Sequence, residues 1–169
     1  MQQDRDAAFM GLALAQSERA AARGQTPFGA VVVDPEGAPG GLVVGEGHNQ
    51  VRADRDPSAH SEVMALRAAW RRLGSAAALR RCTLYTNCEP CLMCSTVIAQ
   101  FGIPRVVVAA RASDVPGSRP VLGLGLPGVA AWQNRQPDWP AVEVVQDLRR
   151  EEAVRIIRAF PWEAPWDAA

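Results

Sequence analysis

Lysine is absent. All 18 basic side chains of the 169-residue chain are arginines, and they balance 18 acidic ones. Schiff-base chemistry, pyridoxal attachment and a phosphate-binding loop ending in Gly-Lys-Ser/Thr each need an amine that this chain does not have. No surplus of positive charge remains either, which argues against duplex or tRNA binding as a main role, because such affinity rests largely on releasing counterions from phosphates. Long apolar runs are missing too. None approaches the roughly 20 residues that span a bilayer. The first 24 residues mix Asp4, Arg5, Asp6, Glu18, Arg19 and Arg23 with alanines, so they lack the apolar stretch of a signal peptide. The expectation is a soluble, cytoplasmic protein with no membrane partner.

What is present is ordinary for one globular domain, with 48% hydrophobic and 21% charged residues. The cysteines are not ordinary. Cys82, Cys88, Cys91 and Cys94 crowd into one short segment, where a disulfide framework would scatter them; crowding of this kind suggests a metal or redox site.

Periodicity gives the organisation. Phe9, Leu12, Ala13 and Ala20 share a helical face between Asp4 and Arg23, and Gly24 stands as a stop. Phe28 to Val33 and Leu42 to Gly45 are apolar runs around a turn-rich loop, the pattern of a β-hairpin. Asp56-Pro57-Ser58 offers an N-cap and a first-turn proline to a second helix with Val63, Leu66, Trp70 and Leu73 on one face, closed by Gly74. Cys82 to Asn87 reads as a strand, Pro90 to about Gln100 as a helix, and Ile103 to Ala109 as a strand buried on both faces. That strand-helix-strand order is a right-handed crossover with parallel strands, so the sheet is mixed and the class is α/β. Pro116 to Pro140 is an irregular excursion rich in proline, glycine and tryptophan, a candidate lid. Val142 to Val145 adds a strand and Leu148 to Phe160 a last helix. One domain over 1–169 is expected, with its core at about 4–115.

Two segments carry chemistry, Pro57-Ser58-Ala59-His60-Ser61-Glu62 and Glu89-Pro90-Cys91-Leu92-Met93-Cys94, each at a helix start. Cys91 and Cys94 are three apart, so on a helix both sulfurs reach one metal at about 2.3 Å. His60 supplies a nitrogen ligand. Three protein ligands leave a fourth tetrahedral position open to water, the mark of a catalytic zinc site rather than a structural one. Helix dipoles favour the thiolates, and zinc brings the pKa of a bound water toward about 7. Glu62, not a ligand, takes that water's proton and delivers it to a ring nitrogen and then to departing ammonia. This requires His60 and Glu62, two apart, to converge beyond the helix N-terminus. A redox dithiol leaves His60 and Glu62 without a role, and an iron-sulfur cluster lacks its fourth cysteine. Cys82 and Cys88 read as buried strand residues.

Thr26 to Val33, Gly47-His48-Asn49, Asp56 to Val63 and Leu84 to Cys94 together resemble the cytidine deaminase-like superfamily. More narrowly, they resemble the branch of guanine deaminases, fungal-type cytosine deaminases and tRNA adenosine deaminases. The resemblance covers about Phe9 to Asp114. It implies a three-layer α/β/α sandwich around a mixed five-stranded sheet, one Zn2+ on His60, Cys91 and Cys94, and proton shuttling by Glu62. For substrate binding it implies Asn49 on the ring edge, Phe28 in the pocket wall, Ala59 beside the histidine and Asp114 near the base; it also implies a homodimer with tails near neighbouring pockets. The substrate motifs point two ways. The region where bacterial guanine deaminases carry a pocket aromatic reads Ala99-Gln100-Phe101, and their aromatic near the C-terminus has no firm counterpart, although Phe160, Trp162 and Trp166 could supply one. Phe101-Gly102-Ile103-Pro104-Arg105 and the tail Pro161 to Asp167 resemble the fungal-type cytosine enzymes.

The reading that results is a zinc-dependent hydrolytic deaminase of a free nucleobase or a related small aminated heterocycle or nucleoside. A tRNA adenosine deaminase is the alternative within the enzyme class, disfavoured by the neutral charge. A zinc-stabilised binding module without turnover is the alternative outside it, disfavoured by Glu62, since a structural ion needs no base beside an open position.

Overall fold

The computed structural model describes residues 1–163; Trp166 and the end of the tail lie outside them. Five strands form one sheet in the order β2-β1-β3-β4-β5. They are β1 (Gly29–Asp34), β2 (Leu42–His48), β3 (Thr83–Cys88), β4 (Arg105–Ala110) and β5 (Glu143–Val145). β1 pairs antiparallel with both β2 and β3, and β3, β4 and β5 run parallel. The mixed sheet is therefore the one the hairpin and the crossover predict. Side chains alternate across it as strand geometry requires. Val32, Leu84 and Val106 face one core with α3 (Ser61–Leu73), α4 (Leu92–Phe101) and α5 (Leu126–Gln133). Val31, Tyr85 and Val107 face a second core with α1 (Gln2–Ala22) and α6 (Arg150–Ala159). A short α2 (Val51–Asp54) follows β2. Among the described residues no helix is long and apolar enough to cross a membrane.

Several expectations shift in detail. On α1 the buried stripe is Asp6, Met10, Ala13, Leu14, Ser17 and Ala20, while Leu12 is 42% exposed. On α3 the buried positions are Ser61, Glu62, Ala65, Leu66 and Ala69, and Trp70 is 45% exposed. The reason is close packing. A Cβ at Gly45 would lie 2.2 Å from the Ala65 carbonyl, and one at Gly47 would lie 2.3 Å from that of Ser61, so only glycines let β2 take the small-residue face of α3 against its backbone. Asp56 does not cap α3. Its carboxylate takes the Ser58 N–H at 2.8 Å and the Ser58 hydroxyl at 2.6 Å, closing a turn, and α3 starts later, with His60 at its N-cap. The excursion is not wholly irregular either, because it contains α5, with a proline in its first turn.

One charge cluster ties the first helix to the sheet. Asp6 on α1 accepts two hydrogen bonds from the Arg105 guanidinium of β4, at 2.9 and 2.8 Å, and one each from the Tyr85 hydroxyl (2.7 Å) and the Gln2 amide (2.8 Å). Burial pushes the Asp6 carboxyl up, but these donors outweigh it and hold it below its ordinary 3.8. The stabilisation is thus complete above that value and is lost as pH falls through it toward the lower folded-state value. We expect Asp6→Asn to lower the unfolding free energy by about 2 kcal/mol at neutral pH, with a smaller difference at pH 3. Urea melts of both proteins at the two pH values check this.

Candidate active site and metal centre

Two helix N-termini meet at the end of the sheet. His60 is the N-cap of α3 and Cys91 the N-cap of α4, both with extended backbone, and neither side chain caps its own helix. Both are left to face each other. His60 Nδ1 lies 3.6 Å from Cys91 Sγ and 3.6 Å from Cys94 Sγ, and the three ligand atoms lie within 4.8 Å of one another. The turn that presents the sulfurs is fixed by Ser95, whose N–H and hydroxyl both donate to the Cys91 carbonyl, each at 2.8 Å.

The donor chemistry suits one zinc ion, with one imidazole nitrogen and two sulfurs converging on a common centre. Two ionised sulfurs this close repel. Left to themselves they divide one proton, so that the hydrogen bond from Cys94 draws the Cys91 thiol down to about 4 while the Cys94 thiol is pushed up. A divalent cation resolves the conflict by letting both ionise. His60 is raised, first by its hydrogen bond with Cys91.

Glu62 is the second residue of α3, in its first turn, and lines the same cavity as His60, Cys91 and Asn49. The convergence that the His-x-Glu spacing demands is met because His60 precedes the first helical residue. Glu62 is only 6% exposed, and burial pushes its carboxyl up. The Ser61 hydroxyl donates to Glu62 Oε2 at 2.8 Å and orients it. The cavity encloses about 570 Å³.

The remaining sequence candidates divide. Asn49 and Phe28 both line the cavity. Asn49 Oδ1 accepts the Val51 N–H at 3.2 Å, which fixes the carboxamide orientation and leaves its NH2 for a ligand. The Asn49 N–H donates to the Phe28 carbonyl at 2.9 Å, so the two candidates hold each other. Ala59 does not line the cavity; it is fully buried, with its N–H on the Asp56 carbonyl and its carbonyl holding the Gln50 N–H. Asp114 does not reach the cavity either. Its carboxylate takes Arg150 at 2.7 and 2.8 Å and the Arg111 N–H at 2.9 Å, and Arg150 above all holds it below the usual carboxylate range. Phe101 packs on Trp70 with ring centres 5.1 Å apart, on the other side of α4, and is no pocket aromatic. Trp162 is one: it lines the cavity and its ring lies 6.1 Å from that of Phe28. Cys82 is buried as expected, its thiol pushed up to about 11 by burial. Cys88 is buried too, but in the cavity wall, and burial pushes its thiol up as well.

Other residues escaped the sequence reading. Asn87, fully buried, accepts the Gly29 N–H at 2.9 Å and donates to the Pro27 carbonyl at 3.0 Å, which seats the segment carrying Phe28. Glu89 lines the cavity and braces the excursion, where a Cβ at Gly125 would lie 2.5 Å from its Oε1. Gly125 in turn bridges to Cys91 in an antiparallel pair. The only sequence signal for either side chain was its closeness to Pro90-Cys91.

A ligand role has a direct consequence: Cys91→Ala and His60→Ala should each lose most of the metal, whereas Cys82→Ala, far from the cluster, should keep it. Zinc per chain after desalting measures this.

Comparison with known proteins agrees with the geometry. Residues 3–110 match the family model described as the cytidine and deoxycytidylate deaminase zinc-binding region. A tRNA-specific adenosine deaminase of Aquifex aeolicus (strain VF5) is 36% identical over 102 residues, covering 60% of this chain and 64% of that protein. A guanine deaminase of Bacillus subtilis (strain 168) is 44% identical over 88 residues, covering 52% and 53%. The chain thus matches less than two thirds of the length of either relative. The solved guanine deaminase of Nitrosomonas europaea superposes with a TM-score of 0.73 and 29% identity, over 90% of this chain and 82% of that one. With the His60-Cys91-Cys94 cluster and the fold in agreement, the chain belongs to the family of the cytidine and deoxycytidylate deaminase zinc-binding region.

Proposed function

We propose that this chain is a hydrolytic deaminase of a free nucleobase or a related small aminated heterocycle or nucleoside, using one zinc ion. The observation that carries the reading is the buried Glu62 carboxyl in the cavity that His60 and Cys91 also line, with Cys94 completing their donor cluster just behind the wall. When bound, zinc supplies an acidified water at neutral pH. His60, Cys91 and Cys94 hold the ion. Glu62 takes one proton from the attacking water and passes it to a ring nitrogen, then takes a second from the hydroxyl added to the ring carbon and passes it to the departing amine; burial, which raises its affinity for a proton, fits it for the task. Asn49 offers its NH2 to an acceptor on the ring edge, and Phe28 with Trp162 forms apolar walls that keep bulk water out.

The second reading, a tRNA adenosine deaminase, is favoured by the similarity to the Aquifex aeolicus protein. The 18-to-18 charge balance and the position of Trp162 in the cavity wall favour a small substrate. Pairing of two chains is part of the proposal, read by sedimentation velocity.

Ammonia release from guanine, cytosine, adenine, their nucleosides and a tRNA anticodon stem-loop decides between the readings. Turnover of at least one base or nucleoside supports the proposal, and turnover of the stem-loop alone transfers it to the second reading. Glu62→Gln should cut kcat by about 10²-fold or more with zinc content unchanged; full zinc occupancy without turnover of anything in the panel points to a binding module instead.

A further inference from the structure

The cavity holds more than a bare ring. At about 30 Å³ per water, its volume of about 570 Å³ holds on the order of twenty water-sized groups, roughly twice the non-hydrogen atoms of an aminated purine. The ligand atoms, Glu62 and Asn49 serve the reacting ring. Part of the remaining wall comes from the excursion after β4, which brings Ser118 and Arg119 to the cavity.

Arg119 is the only guanidinium among the described residues that line this space. It makes no hydrogen bond or ion pair with any described residue. Other arginines are engaged: Arg81 with Asp34, Arg105 with Asp6, Arg111 with Asp147, Arg149 with Glu152 and Arg150 with Asp114. The two carboxylates that share the cavity are also held, Glu62 by the Ser61 hydroxyl and Glu89 by the Ala112 N–H at 3.4 Å.

The segment that carries Arg119 is pinned at both ends. Before it, Asp114 is clamped by Arg150 of α6 and by the Arg111 backbone. After it, Gly125 pairs with Cys91, itself one of the donors. In between, the Ser118 N–H donates to the Val115 carbonyl at 3.1 Å and the Gly123 N–H to that of Pro120 at 3.0 Å. An exposed cation with no counter-charge among the described residues therefore stands at the rim of a cavity with largely apolar walls and spare volume. Its fork of N–H donors matches phosphate and carboxylate oxygens.

We propose that Arg119 forms a subsite for an anionic substituent, phosphate or carboxylate, on the aminated ring that this cavity accepts, so that the substrate class is an anionic small heterocycle such as a nucleoside monophosphate. The inference rests on the deaminase reading above. Arg119 also defines which part of the ligand lies farthest from Glu62: the charged substituent points toward the excursion and the exocyclic amine toward His60.

The test uses the zinc-loaded full chain and measures kcat/KM for adenosine, guanosine and cytidine against their 5′-monophosphates, and for pterin against pterin-6-carboxylate. For at least one ring the anionic form should be preferred by about tenfold or more, the worth of one charge-assisted contact. The phosphate and carboxylate arms identify which anion is read. Arg119→Ala should erase most of that preference through KM, Arg119→Lys should keep part of it, and Arg119→Glu should reverse it. If neutral substrates are deaminated and Arg119→Ala leaves the anionic-to-neutral ratio unchanged, the subsite is refuted while the deaminase reading stands. If nothing is turned over, the deaminase reading fails, and calorimetric titration of the same monophosphates into wild type and Arg119→Ala judges the subsite: tighter binding to wild type supports it, and equal or absent binding overturns it. Turnover confined to an anticodon stem-loop also overturns it, because the anion would then belong to a macromolecule.

Discussion

His60 and Cys91 occupy equivalent places, each the residue just before the first turn of a helix, and the site depends on those two helix starts abutting. The sheet brings them together. β2 delivers the chain to α3, β3 delivers it to α4, and both strands flank β1. Gly45 and Gly47 then set the distance between α3 and the sheet, since any side chain there would strike the α3 backbone. A donor cluster spaced for one ion thus depends on backbone packing behind the ligands, at Ala65 and at Ser61 next to His60. The helix ends add charge to geometry, because free N–H groups and aligned dipoles favour the ionised sulfurs of Cys91 and Cys94 over their thiols.

Most of this was legible in the sequence wherever a residue acts through its own type and spacing. His60, Glu62, Cys91 and Cys94 announce themselves, because few residue types bind zinc or move protons and their offsets within one turn limit where they point. The hairpin and the β3-α4-β4 crossover were equally readable from apolar runs. What was not readable depends on partners distant in sequence. Nothing near Asp114 says that Arg150, 36 residues on, takes its carboxylate; a loop acid near a pocket and a loop acid in an ion pair look alike until the chain is folded. Trp70 was misread for a related reason. Helical spacing gives a face but not its direction, and the glycines of β2 turned the alanine face inward. The end of α5 shows the same limit from the other side, since the proline and glycine that suggested irregularity fit a short helix with proline in its first turn.

The excursion after β4 changes meaning once its contacts are known. It belongs to the site, because Gly125 pairs with a metal-cluster residue and Glu89 fills the space a Cβ would need at Gly125. The wall is thereby coupled to the donors. On the opposite side, α6 positions Trp162, whose indole N–H donates to the Ile157 carbonyl at 2.8 Å, while Arg150 of the same helix ties it to the loop after β4. The cavity therefore joins a rigid end, built on helix starts, to walls assembled from later parts of the chain.

Asn87 has a wider consequence. Pairing between β1 and β3 reaches Ala30 and Thr86, and just beyond that point the Asn87 carboxamide, in place of the main chain, takes the Gly29 N–H and the Pro27 carbonyl. One side chain ends the ladder cleanly while letting the strands part. The binding space is a seam opened between neighbouring strands, not a hollow cut from the hydrophobic interior. Its size can consequently drift, by moving the point where the seam begins, without removing a single core side chain and so without the instability that a carved-out cavity brings.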